Sequence, residues 1–153
     1  RSKRYNRTLA VVMCDIDNLK AINDTYGHDA GNTVIKQVVK TIQARLRTID
    51  IVGRFGGDEF ILLLPEQGEE GALTVAKRIN ALIKDTGFVL ANNKEIKLTL
   101  SMGIAIYPHH GSDLAGLIKK ADEAMYVCKK SNGKKVLVSV NETSVPLAEL
   151  SAQ

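Results

Sequence analysis

At 153 residues, with 44% hydrophobic and 25% charged residues, the chain has the size and balance of one globular domain and too little length for two comfortable cores. No apolar run approaches a membrane span, no apolar signal region opens the chain, and Cys14 and Cys128 lack paired or zinc-ligand spacing. The formal charge of +4 sits in two short clusters, Arg1, Lys3, Arg4 and Arg7, then Lys129, Lys130, Lys134 and Lys135, with a net acidic middle, so no nucleic-acid stripe is built. An intracellular domain with two buried free thiols is expected. The opening "RSKRYNR" has no Met, which points to a segment of a longer protein.

"TLAVVMC", Thr8 to Cys14, is apolar on both alternating faces, as in a central strand covered on both sides. It runs into "DIDN". "NLKAINDTYG" reads as a short helix closed by Gly27. From Asn32, the residues Val34, Ile35, Val38, Val39, Ile42 and Leu46 recur at helical spacing and predict a long amphipathic helix. "IDIVGRF" and "DEFILLLP" predict two strands joined by Gly56-Gly57, the pair that a tight hairpin turn with positive φ prefers. A further helix carries Ala72, Val75, Ala76, Ile79, Leu82 and Ile83. "KLTLSMGIAIYP" predicts a strand, paired with "GFVLA" through Asn92-Asn93. His109 and His110, in the Pro/Gly loop "YPHHGSD", are expected exposed. A helix from about Ser112 to Lys129 and the strand "KVLVSV" follow. The mixture, with a hairpin between helices, predicts an α+β sandwich of helices over a largely antiparallel sheet.

The segment "GRFGGDEFILLLP" sets two carboxylates at the mouth of a strand that is otherwise apolar. Asp15 closes one buried strand and Asp58 opens another, so the two acids are expected at one edge of the sheet. Unpaired, they would be costly to desolvate and would repel each other. A divalent cation removes that cost, and hard oxygen ligands from carboxylates, a carbonyl and substrate phosphates suit Mg²⁺ and in-line phosphoryl transfer with two metals. A glycine tip lets a nucleotide approach the backbone. A hairpin with solvent-facing acids is the plainer alternative.

These residues resemble a known family. "GGDEF" is the name-giving motif of the GGDEF domains, the diguanylate cyclases. "DIDNLKAINDTYGHDAGN", Asp15 to Asn32, resembles their D-x-D-x-F-K-x-x-N-D-x-x-G-H-x-x-G-D block, and "LSMGIAIYP" and "ADEAMYVCKKSNGKK" resemble the later strand and last helix. The likeness runs from Asp15 to about Val138. It implies a fold like that of nucleotidyl cyclases and polymerase palms, over residues 1–140, with 141–153 a tail or linker. It implies condensation of two GTP to cyclic di-GMP with release of pyrophosphate, on a homodimer in which each domain holds one GTP. Mg²⁺ or Mn²⁺, two ions per active half-site, would be held by Asp15, the Ile16 carbonyl and Asp58. Glu59 or Asp58 would help deprotonate the attacking 3′-hydroxyl. Backbone N–H groups of Asn18, Leu19 and Lys20 would cradle phosphates at a helix start. Asn23, His28 and Asn32 take the guanine and ribose side, Gly56 and Gly57 the hairpin tip, and Lys129 or Lys130, with Lys134, the phosphate end. "RTID", Arg47 to Asp50, has the R-x-x-D spacing of a product-inhibition site, with Arg78 as a secondary arginine. Without the family, Arg47 and Asp50 would read as a surface ion pair.

The chain departs from the family at Asn32 for Asp, Leu19 for Phe, Cys128 for Ala and Lys135 for Asn. The loop "KKSNGK" is one residue longer than the tightest family form, and "SKRYNR" resembles only the end of the opening helix. An amide at position 32 is expected to weaken GTP binding and relax selectivity toward ATP. An active cyclase is the first reading; the alternative is a weakly catalytic domain that binds GTP or cyclic di-GMP and regulates a neighbour. Flanking sensor or effector domains are expected, in a cytoplasmic setting that leaves a membrane anchor on the parent chain open.

Overall fold

The computed structural model describes residues 7–131, 136–140 and 143–146. In chain order they form β1 (Leu9–Ile16), α1 (Leu19–Tyr26), α2 (His28–Gln43), β2 (Ile51–Gly56), β3 (Glu59–Pro65), α3 (Glu69–Asp85), β4 (Phe88–Val89), β5 (Glu95–Ile96), β6 (Leu100–Tyr107), α4 (Leu114–Lys130), β7 (Val136–Val140) and β8 (Thr143–Pro146). Six strands make one sheet in the order β2-β3-β1-β6-β7-β8. Every neighbouring pair is antiparallel except β6 and β7. The expected α+β fold, a mostly antiparallel sheet with a hairpin and flanking helices, is what the chain adopts. Among the described residues no helix is long and apolar enough to cross a membrane.

β1 is the axis of this arrangement, and its alternation assigns every neighbour to a face. Ala10, Val12, Cys14 and Ile16 look toward the layer of α1, α2 and α3, where they join Phe60, Leu62 and Leu64 of β3, Met102 and Ile104 of β6, and helix residues such as Val38, Ala76 and Ile83. Val11 and Met13 look the other way, onto Leu117, Ala121 and Met125 of α4. Both faces of the strand are fully buried, as its apolar run predicted. On that second face α4 lies so close to the sheet that a Cβ at Gly103 would run into the Ala121 carbonyl and the Met125 backbone nitrogen. Cys14 and Cys128 are buried free thiols, as expected.

Several expectations are corrected. The strand expected in "KLTLSMGIAIYP" is Leu100–Tyr107, but it does not pair with "GFVLA": Phe88–Val89 pairs with Glu95–Ile96 in a separate two-stranded ribbon, and Leu100–Tyr107 enters the main sheet. Asn93, at φ 63°, turns the chain back early, with Leu90 N–H donating to the Lys94 carbonyl at 2.9 Å. Helix α2 starts at His28, directly after Gly27, rather than at Asn32. Of the hairpin glycines, Gly57 alone has a positive φ, 36°, and the register slips between Arg54 and Gly56 instead of closing as a regular two-residue turn. His110 is not an exposed loop residue. It is 6% exposed, and its Nδ1 accepts from Ile106 N–H at 2.8 Å while its backbone N–H donates to the Ile106 carbonyl at 2.7 Å.

Burial, then the neighbouring His109 and Lys120, push the His110 imidazole below its ordinary 6.5. The folded state therefore sheds a proton that the unfolded chain holds, so this contribution to stability is present above pH 6.5 and is lost as the pH falls below it. Thermal melts between pH 7.5 and 5 should show a falling midpoint, and His110→Asn, which can still offer an acceptor oxygen to Ile106, should flatten that slope.

Candidate active site

The alternation that buries β1 also dictates where its last acid goes. Asp15 shares the α4 face with Val11 and Met13, and on β3 Glu59 shares it with Ile61 and Leu63. The register sets Asp15 directly opposite Glu59 on one side and Ser101 on the other. Like charges opposite each other on neighbouring strands are destabilising. Asp58, in the turn just before β3, adds its field to theirs. Among the described residues Lys129, near the end of α4, offsets this cluster by donating from Nζ to Asp15 Oδ2 at 2.7 Å.

The ion pair does not balance the site. Burial pushes the Asp15 carboxyl above its usual range, Lys129 pulls it partly back, and Asp58 and Asp17 raise it again. Burial likewise raises Glu59, with Asp122 of α4, Asp15 and Asp58 adding to it. Burial lowers Lys129, but its bond to Asp15 and the fields of Asp58 and Asp17 leave it raised overall. Asp15 Oδ1 is buried and has no hydrogen-bond partner among the described residues. Such an orphaned acceptor is costly, and a bound cation would satisfy it.

Among the described residues no three His, Cys, Asp or Glu side chains converge as a cage for a metal. Mg²⁺ does not require one, since it is commonly held by one or two carboxylates with waters and substrate phosphates. The orphaned Oδ1 of Asp15, the adjoining Ile16 carbonyl and Asp58 are a donor set of that kind.

Asp17, the second acid of "DIDN", is spent otherwise. Its Oδ2 accepts from Thr99 Oγ1 and its Oδ1 from Ser101 Oγ, both at 2.6 Å, and its N–H donates to the Thr99 carbonyl at 3.0 Å. This ties the end of β1 to the start of β6. Asn18 then turns through the left-handed region, φ 62° and ψ 27°, and α1 begins without a side-chain cap. The first N–H groups of such a helix have no partner within it, and they belong to the residues expected to cradle phosphate, Leu19 and Lys20 beside Asn18.

On one side of α1 a cavity of about 350 Å³ lies between α1, α2 and the hairpin tip, lined by Lys20, Asn23, His28, Asn32, Arg54 and Asp58 among others. Leu19 and Gly57 line it too, whereas Gly56 is set beside Glu59 in the hairpin register. Ligand pockets of about 300–1,000 Å³ are typical for small molecules. Arg54 was not foreseen. It alternates onto the cavity side of edge strand β2 two residues before the glycine pair, a position that could have flagged it. A larger cavity, about 860 Å³, opens on the other face of α1 among Ala21, Ile22, Tyr26 and Leu98. Its one acid from the "DIDN" segment is Asp17, whose oxygens are taken.

A third cavity, about 430 Å³, brings Arg47, Asp50 and Arg78 together with Arg45, a residue the spacing argument missed. Arg47 grips Asp50 from Nη2 at 2.7 Å and Nε at 3.1 Å, and also donates to the Pro65 carbonyl at 2.8 Å. Asp50 is nearly buried, with 4% side-chain exposure, while Arg47 keeps 43%. Lys130, unlike Lys129, lies over the Tyr126 ring, 4.6 Å from its centroid. Lys134 lies outside the described residues.

A buried carboxylate with an orphaned oxygen beside two further acids, a helix start without a side-chain cap and a cavity of nucleotide size, set at the strand ends of a mostly antiparallel sheet, fit a nucleotidyltransferase-type domain. The family description "Diguanylate cyclase, GGDEF domain" matches residues 1–135, and the chain belongs to that family. Diguanylate cyclase DosC of Escherichia coli (strain K12) is 40% identical over 135 residues, which cover 88% of this chain and 29% of that protein. Diguanylate cyclase A of Treponema denticola is 36% identical over 140 residues, 92% of this chain and 38% of that protein. The chain thus spans well under half the length of these relatives. Among solved structures, the GGDEF domain of YfiN (TpbB) from Pseudomonas aeruginosa is 36% identical with a TM-score of 0.83, covering 93% of this chain and 87% of that one. The GGDEF domain of DgcB from Caulobacter crescentus, solved in complex with c-di-GMP, is 26% identical with a TM-score of 0.78, covering 93% and 82%.

A raised carboxyl pKa means that the ionised acid costs stability at neutral pH. Asp15→Asn should therefore melt higher than the parent at pH 7 without metal, by about 2–4 °C if the relief is about 1 kcal/mol. The gain should vanish as the pH falls into the carboxylate range, where Asp15 is itself neutral. Adding Mg²⁺ should raise the midpoint of the parent and leave the variant unmoved, a pair of curves readable by differential scanning fluorimetry.

Proposed function

We propose that this chain is a diguanylate cyclase domain, in which two GTP molecules, each held by one of two facing copies, condense to cyclic di-GMP with loss of pyrophosphate. The observation that carries the reading is the buried, unpartnered Oδ1 of Asp15 beside Asp58, an acid that also lines the cavity between α1, α2 and the hairpin tip. Asp15, the Ile16 carbonyl and Asp58 would hold Mg²⁺ or Mn²⁺, two ions in each half-site. Bound there, such ions supply charge neutralisation for the triphosphate and activation of the attacking oxygen.

The chain's own groups divide the remaining work. The N–H groups of Asn18, Leu19 and Lys20 orient phosphate at the start of α1. Asn23, His28 and Asn32 receive the nucleoside, and the open tip at Gly56 and Gly57 lets it approach. Lys129 is the better placed of the two neighbouring lysines: it already sits on Asp15 at 2.7 Å, from where a short swing of a flexible stem brings its charge to phosphate. Lys134 is assigned to the same end. Glu59, whose proton affinity is raised by burial and by neighbouring acids, is suited to accept the 3′-hydroxyl proton, with Asp58 beside it. Three arginines converging with a nearly buried Asp50 support a separate site for the product, since guanidinium forks suit phosphate and guanine edges and a carboxylate accepts guanine N–H groups. Flanking domains that control the encounter of two copies, and a cytoplasmic setting, belong to the same proposal.

Incubation of the chain with GTP and Mg²⁺ should yield cyclic di-GMP at a rate that rises with protein concentration. Asp58→Ala should lower turnover at least about 100-fold while the melting curve stays cooperative, and a variant with near-parental turnover would sink the metal-site assignment.

Arg47→Ala should abolish the calorimetric signal of cyclic di-GMP binding and lift inhibition at high product, while KM for GTP stays within about twofold, because position 47 lies at the far end of β2 from the carboxylates. Equal binding by parent and variant would remove the product site from the reading.

A further inference from the structure

The cavity between α1, α2 and the hairpin tip contains two amides, Asn23 and Asn32, and the structure fixes which way each one faces. Gly31 N–H donates to Asn23 Oδ1 at 2.8 Å, and Arg54 Nη2 donates to Asn32 Oδ1 at 3.0 Å. A backbone N–H and a guanidinium are donors with no acceptor capacity, so each amide turns its oxygen to the protein, with one lone pair already engaged, and directs its N–H₂ away from that donor toward a ligand. Arg54 is itself held, since its Nε and Nη2 donate to the Gly57 carbonyl at 3.1 and 2.7 Å, bridging the hairpin tip to the start of α2. Lys20 adds a further donor to the lining, and Asp58 is the carboxylate at its hairpin side.

A carboxylate at position 32 would behave otherwise. It would give one oxygen to Arg54 and keep the other as an acceptor for guanine's N1–H and N2–H₂. Asn32 reverses that polarity. Rotating its amide to pair with adenine's N1 and N6–H₂, the route by which selectivity was expected to relax, would set N–H₂ against the Arg54 donors. Guanine carries two adjacent acceptors, O6 and N7, on its other edge, whereas adenine places an N6–H₂ donor beside N7.

We infer that this chain reads guanine at its O6/N7 edge, through donors from Asn23 and Asn32, with Arg54 the positioning residue that sets the polarity of position 32. The inference rests on the cyclase reading of this cavity and goes beyond it in naming the edge that is read and the residue that selects it. Selectivity against ATP is kept, and the guanine N2 amine is left without a role.

Inosine triphosphate keeps O6, N7 and N1–H and lacks only the N2 amine; 7-deaza-GTP keeps O6 and N2 and lacks the N7 acceptor. Calorimetric titration of the chain with GTP and each analogue, with Ca²⁺ in place of Mg²⁺ to prevent turnover, separates the two edges. ITP should bind within about twofold of GTP, and 7-deaza-GTP about fivefold more weakly, as loss of one neutral hydrogen bond allows. In Asn32→Asp the order should invert, with GTP about tenfold tighter than ITP, because the N2 amine and N1–H then meet a charged acceptor. Arg54→Ala frees the Asn32 amide to turn, so a preference for GTP over ITP should reappear; a role for Arg54 confined to holding the hairpin would lower all affinities together and leave the ratio unchanged. A parent chain that prefers GTP to ITP tenfold, or ignores loss of N7, overturns the inference while the cyclase reading stands. Failure to bind any of the three nucleotides overturns both.

Discussion

The feature on which the site depends is a like-charge pair in strand register. Because β1 is covered on both faces, its alternation is not negotiable: a slip of one residue would exchange the α4-facing set, Val11, Met13 and Asp15, with the set that faces α2 and α3. The same rule holds β3 in place, and the two registers together oppose Asp15 to Glu59. The sheet therefore concentrates negative charge at its edge as a consequence of how its core is packed. A strand optimised for stability alone would place a hydroxyl or an apolar residue there, as β6 does with Ser101 opposite the same Asp15.

Lys129 shows why one protein cation is an incomplete answer to this charge. It satisfies Oδ2 of Asp15 and leaves Oδ1 buried without a partner among the described residues. An ammonium on a four-carbon stem is a point charge that reaches one oxygen well, whereas a divalent ion takes several oxygen ligands at once. If Asp15 and the Ile16 carbonyl hold such an ion, as proposed, Lys129 would be free to meet an anion beside it.

Most of the scaffold was legible because it is written in local periodicity. The doubly apolar run of β1, the helical stripe through Val34, Val38 and Ile42, and the glycine pair before "DEF" each carry a short-range signal, and the fold followed. What was not legible depended on distant partners. Lys129 and Lys130 are equivalent in a one-dimensional reading, and only the phase of α4 against β1 separates the ion pair with Asp15 from the stack on Tyr126. Asp17 looks like Asp15 in "DIDN", yet two hydroxyls, Thr99 and Ser101, more than eighty residues on, take its oxygens. His110 reads as a loop residue, and its burial follows from the return of the chain beneath Ile106. Arg54 stands two residues before the glycine pair, a usable signal, but its role depends on Gly57 and Asn32, which the fold brings to it.

β2 draws these observations together. It is the edge strand of the sheet, with little packing of its own, and yet each end of it borders a polar cavity: Arg47 and Asp50 just before it, Arg54 and Gly57 at its far end. Edge strands with few buried residues are the elements of a sheet most easily shifted along their length. Ile51 is 55% exposed and Phe55 51%, so the core does little to pin this strand, and its register rests on β3 and on the two arginines. Arg47 anchors one end to the Pro65 carbonyl, across the hairpin, and Arg54 anchors the other to the Gly57 carbonyl and Asn32. Arg47 lines one cavity and Arg54 the other, so the two anchors of β2 are also groups that a ligand in either cavity would meet. The strand that orients the amide at position 32 through Arg54 also runs into the turn that carries Asp58.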